Sequence, residues 1–146
     1  MNHIKITFLF LLVLMLTSNP VYSQDSRTLD TKVADLLVQI PADNQQQLER
    51  QMNLLWELEE PGLQKILDLI VPPGTGDDTK PRFAIESLSR YLSQQGKEKE
   101  KTEWETMLLK EIGNRHDTYV KSFLMSQLNY TGGDATIKSL SNYLMD

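Results

Sequence analysis

The sequence predicts an all-α protein, an α-solenoid of about seven helices stacked as antiparallel pairs behind a secretory leader. Three observations predict it. From Leu29 onward the apolar residues recur with a period near 3.6 almost everywhere. Gly and Pro are few, seven and six in 146 residues, and sit between apolar runs rather than inside them. Two helices forty residues apart repeat one apolar pattern, the mark of stacked helical hairpins.

The leader comes first. Lys5 supplies a small positive n-region, and Ile6 to Leu16 ("ITFLFLLVLML") is an apolar segment too short to span a bilayer. Pro20 and "VYSQ" follow, so residues 1–23 read as a secretory signal peptide cleaved before Gln24. There is no cysteine, so neither a lipid-modified cysteine nor a disulfide is expected and stability rests on packing. The chain holds 15 basic and 20 acidic residues, and losing Lys5 leaves 14 and 20, a formal charge of −6. An acidic chain without a basic tract is a poor nucleic-acid binder, because neutralising phosphates supplies most of that affinity. The expected localisation is exported, periplasmic or extracellular, with no membrane insertion after cleavage.

The helices follow in order. Leu29, Val33, Leu36, Leu37 and Ile40 form one stripe, stopped by Pro41. Asp43 is the expected N-cap of the next helix, with Gln46 in capping-box position. Leu48, Met52, Leu55 and Trp56 are its apolar side, and Pro61-Gly62 is expected to break it. A short helix, "LQKILDLIV", then runs to Pro72-Pro73. After the long loop "PPGTGDDTKP", Asp78 or Thr79 caps a helix with Pro81 in its first turn and Phe83, Ala84, Leu88, Tyr91 and Leu92 on its apolar side. Gly96 ends it. "KEKEKTEWETMLLKEIG" starts polar and buries Trp104, Met107, Leu108 and Ile112. Two last helices are expected from about Asp117 to Tyr130 and from about Asp134 to Leu144.

Overlaying "RFAIESLSRY" on "SFLMSQLNYT" at an offset of forty places Phe83 on Phe123, Ala84 on Leu124 and Leu88 on Leu128. An offset of 74 places Leu63 on Ile137, Ile66 on Leu140 and Ile70 on Leu144. The stretch "VKSFLMSQLNYTGGDATIKSLSNYLMD" resembles a HEAT-type repeat junction. Its second helix opens Val-basic, an apolar run reaches a Leu, a Gly turn follows, and a first helix ends in Leu-x-Asp. The resemblance is close over 117–146 and looser over 61–113, and the loop at 72–80 departs from the compact turn of the family. More broadly, the chain resembles the N-terminal region of exported HEAT-repeat proteins of Bacteroidota. Some of these continue into further repeats and a C-terminal domain of the 3-keto-disaccharide hydrolase type. On that resemblance residues 24–146 are a HEAT-like repeat domain expected to be incomplete at its C-terminus. Ile137, Leu140 and Leu144 would then await a covering helix.

Site chemistry is sparse. The histidines are His3, in the leader, and His116, at a helix start, so no metal cluster is expected. "GTGDDTK" lacks the spacing and the Gly-Lys-Ser/Thr end of a phosphate loop, and Asp77 and Asp78 read as helix caps. Glu57, Glu59 and Glu60 form no separated acid-base pair, with 57 and 60 expected to face solvent. Trp56 and Trp104 lie on apolar stripes and read as core, with sugar stacking the lesser alternative. No catalytic residues and no cofactor are expected. What remains is a polar surface: Arg82, Glu86 and Ser89 opposite the core stripe, with Ser122, Ser126 and Asn129 forty residues on. Such rows align in a solenoid into an extended binding surface.

The expected function is therefore a non-catalytic scaffold of an exported protein, using Arg82, Glu86, Ser122 and Asn129 to bind a protein partner or a downstream domain of the same chain. The alternative is an N-terminal accessory region of a carbohydrate-active enzyme of the 3-keto-glycoside hydrolase type. Its catalytic domain, and any contact with carbohydrate, would then lie downstream.

Overall fold

The computed structural model describes residues 27–143, and these form seven helices and no strand. The expected leader over 1–23, the cleavage point at Gln24 and the overlay position Leu144 lie outside the described residues. The helices are α1 (Leu29–Val38), α2 (Gln45–Trp56), α3 (Glu59–Asp68), α4 (Thr79–Leu92), α5 (Glu98–Asn114), α6 (Thr118–Thr131) and α7 (Asp134–Tyr143).

Local chemistry sets most boundaries. The Thr28 hydroxyl accepts from the Thr31 N–H to open α1, and the Asp117 carboxylate accepts from the Val120 N–H to open α6. The cap of α2 lies one residue beyond the expected Asp43. Asn44 accepts from the Gln47 N–H, and the Gln47 side chain reaches back to the Asp43 N–H. Either register satisfies the capping pattern.

Pro61-Gly62 does not end α2. The break comes at Glu57–Leu58, and Glu59 opens α3 in the left-handed region with φ 56°. Pro61 occupies the first turn of α3, where its missing N–H costs nothing. Gly62 is needed for close approach: a Cβ there would collide with the Leu58 Cβ.

Packing follows a simple order. Helices two apart in sequence lie side by side, α2 on α4 and α4 on α6 in one row, α1 on α3 and α5 on α7 in the other. Side chains join α3 to α5 and complete the second row. Gln64 donates to Glu111 at 3.0 Å, Lys110 pairs with Glu60 at 3.1 Å, and an Arg115 Nη donates to the Leu67 carbonyl at 2.9 Å. The central helix is α4, which touches α1, α2, α3, α5 and α6. One apolar cluster runs through all of this, from Val33 and Leu36 on α1 through Leu63 and Leu67, Ile85 and Leu88, Trp104 and Leu108, to Leu124 and Leu128 on α6.

The forty-residue overlay matches this packing in two of its three pairs: Ala84 with Leu124, and Leu88 with Leu128, are all buried on adjacent helices, whereas Phe83 is exposed and its counterpart Phe123 only half-buried. The second overlay does not. Leu63 is buried but Ile137 is 69% exposed, because Thr136, one residue earlier, is the α7 side chain turned to α5.

Candidate functional site

The polar row expected on α4 is only partly a surface. Arg82 is a clamp on the long loop: its Nε donates to Asp78 at 2.8 Å and an Nη donates to the Val71 carbonyl at 3.1 Å. The same Asp78 oxygen accepts from the Val71 N–H at 3.0 Å, so one ion pair satisfies both backbone groups of Val71. Burial opposes ionisation of Asp78, but the hydrogen bonds from Arg82 and Val71 outweigh it and hold the carboxyl below its ordinary value. Asp77 accepts from the Thr79 N–H, and hydrogen bonding from the Thr79 side chain, then from that N–H, lowers its pKa. Both aspartates of "GTGDDTK" are thus engaged in local backbone bonds.

Arg82 also lies over the Phe123 ring, 4.5 Å from its centre, which ties α4 to α6. Two turns on, Arg90 repeats the arrangement over Tyr130 at 4.8 Å while pairing with Glu86 at 2.7 Å. Glu86 therefore acts through Arg90. Ser89 corrects the sequence expectation, being fully buried. Its hydroxyl donates to the Ile85 carbonyl and accepts from the Trp104 indole N–H at 2.9 Å. A central helix is enclosed on both flanks, so its buried arc is wider than its apolar stripe.

On α6 the row stays outward. Ser122, Ser126 and Asn129 are exposed, at the i, i+4, i+7 spacing that puts them on one side of the helix. Ser126 donates to the Phe123 carbonyl and accepts from the Gln127 side-chain amide. The structure thus brings Arg82 and Glu86 to the α4–α6 seam and leaves Ser122 and Asn129 on the outer edge beside it.

Two buried carboxylates escaped the sequence reading. Glu105 on α5 accepts from the Gly133 N–H, the Thr136 N–H and the Thr136 hydroxyl, and so caps α7 from another helix. Burial pushes its pKa up, but the bonds from Thr136 and Gly133 prevail and hold it below the ordinary value of 4.5. Glu111 is buried between Arg115 and Gln64, where α5 meets α3. Their signal in sequence was position: Glu105 stands three residues before Leu108, and Glu111 three after Leu108 and seven after Trp104, which sets both beside the apolar stripe.

Trp104 is core, but Trp56 is only half-buried. It lines a cleft of about 370 Å³ with Glu59, Glu60 and Leu63 of α3 and Glu103, Thr106, Met107 and Lys110 of α5. Glu57 is exposed and does not line the cleft, and His116 is exposed at the start of α6. Among the described residues no group of three or more His, Asp or Glu side chains converges as a metal site, and no helix is long and apolar enough to cross a membrane.

No family model, curated protein or solved structure matches the chain.

Proposed function

We propose that the chain is a HEAT-like helical-hairpin solenoid of an exported protein and serves as a non-catalytic scaffold. The observation that carries this is the packing order. Helices two apart form rows, and the α4–α6 step repeats its buried pairs at an offset of forty residues. In such a stack each unit contacts its neighbours and presents aligned outer faces, which is how repeat proteins hold partners. The outer edge at Ser122 and Asn129, backed by the Arg82–Phe123 and Arg90–Tyr130 contacts, is the contact face for a protein partner or a further domain of the same chain.

A photo-crosslinking side chain placed at Ser122 or Asn129 in the native source tests this face. One recurring adduct at both positions, missing from the same probe at exposed Lys99, is the expected result. Equal adducts at all three positions would contradict it. Turnover screens against glycosides and 3-keto-glycosides are expected to be blank for residues 24–146. Hydrolysis lost on Glu57→Gln or Asp77→Asn would overturn the non-catalytic reading.

A further inference from the structure

We propose that the Trp56 cleft is a docking site for an arginine side chain carried on a partner polypeptide. It lies between α2, α3 and α5, away from the α4–α6 edge, and the inference stands independently of that face. The floor combines the Trp56 indole with Leu63 and Met107, and the rim carries Glu59, Glu60 and Glu103 against one ammonium, that of Lys110. Lys110 is already paired with Glu60 at 3.1 Å. Glu103 has only a loose contact with Lys99 at 3.6 Å, and Glu59 makes no ion pair among the described residues. An aromatic wall with unspent carboxylates beside it is complementary to a cation that has a flat face.

The molecule uses the same pairing to hold itself together. Arg82 covers Phe123, Arg90 covers Tyr130, and Lys97 lies 4.2 Å from the Tyr91 ring centre. Trp56 is the best cation-binding ring of the set by chemistry, yet among the described residues no cation covers it. Phe83 and Tyr119 are also exposed and uncovered, but neither lines this cleft. Arginine is favoured over lysine because its planar guanidinium can stack on the indole and still donate two parallel bonds to Glu59 or Glu103.

The test uses a blocked Arg-Ala-Arg-Ala peptide added to the full chain, with lysine and glutamate versions for comparison. Binding is read from the indole N–H resonances of Trp56 and Trp104. The arginine peptide is expected to shift Trp56 and leave buried Trp104 unmoved. It should bind several-fold more tightly than the lysine peptide, and the glutamate peptide should not bind. The double variant Glu59→Gln/Glu103→Gln alters exposed groups that the fold does not use, and should weaken binding at least tenfold. Asp43→Asn/Asp77→Asn, which removes the same charge from exposed positions outside the cleft, should leave it unchanged. An unmoved Trp56 resonance, or affinity indifferent to the Glu59/Glu103 variant, overturns the proposal. So does equal weakening by Asp43→Asn/Asp77→Asn, which would assign the effect to overall charge.

Discussion

Glu105 accepts two hydrogen bonds from Thr136, 2.9 Å from its backbone N–H and 2.6 Å from its hydroxyl, and through them α5 supplies the N-cap that α7 lacks. The turn before α7 is Gly132-Gly133, which offers no capping side chain. The carboxylate from 31 residues upstream takes that role and meets the positive end of the α7 dipole.

Glu105→Ala should therefore loosen α7 in particular, at a cost of about 1.5–3 kcal/mol for bonds to a charged group. Hydrogen exchange should speed up at Thr136 and Ile137 before it changes in α4.

The same residue sets a pH dependence. Its folded pKa lies below the ordinary 4.5, so the native state favours the ionised form. That stability is fully present above pH 4.5 and is lost as pH falls through the depressed value. Asp78 adds a similar loss starting from its own ordinary value of 3.8. Melting temperature should fall between pH 5 and pH 3, and Glu105→Gln should flatten part of that fall.

Much of this was legible from spacing alone. In the stripe Leu29, Val33, Leu36, Leu37, Ile40 the last four are buried and Leu29 is half-buried at the helix start, and the forty-residue match of Leu88 with Leu128 falls on two helices in contact. Spacing fixes which side of a helix is apolar, not how wide an arc its neighbours enclose. That is why Ser89, in the same row as Arg82, is buried under Trp104. It is also why Ile137 and Thr136 exchanged roles. The Trp56 cleft depends on where α3 starts and how it leans on α5, and such long-range packing leaves no periodic trace.

Ser89 gives a second test. With Ser89→Ala the buried Trp104 N–H loses its acceptor, which should cost about 1–3 kcal/mol. Trp104→Phe in that background should cost less than it does in the parent chain, because no indole N–H is then left unpaired. A double-mutant cycle by urea unfolding reads the difference.

Leu128, on the α4–α6 seam, is expected to lose about 2–5 kcal/mol on Leu128→Ala. A loss under 1 kcal/mol would show that α6 is not held against its neighbours as described.

Glu59 should respond the other way. Its φ of 56° strains any residue with a Cβ, so Glu59→Gly should raise stability by about 1 kcal/mol. The same change removes a carboxylate from the cleft and should weaken arginine-peptide binding, separating the residue's effect on folding from its effect on recognition.

Native-state hydrogen exchange resolved by residue is the measurement that bears on the stacked order of the helices. If each helix depends on its neighbours in two rows, protection should peak in α4, which touches five others, and decline step by step toward α1 and toward α7. One opening free energy shared by the core amides of α1, α4 and α7 would contradict it, as would a maximum at either end.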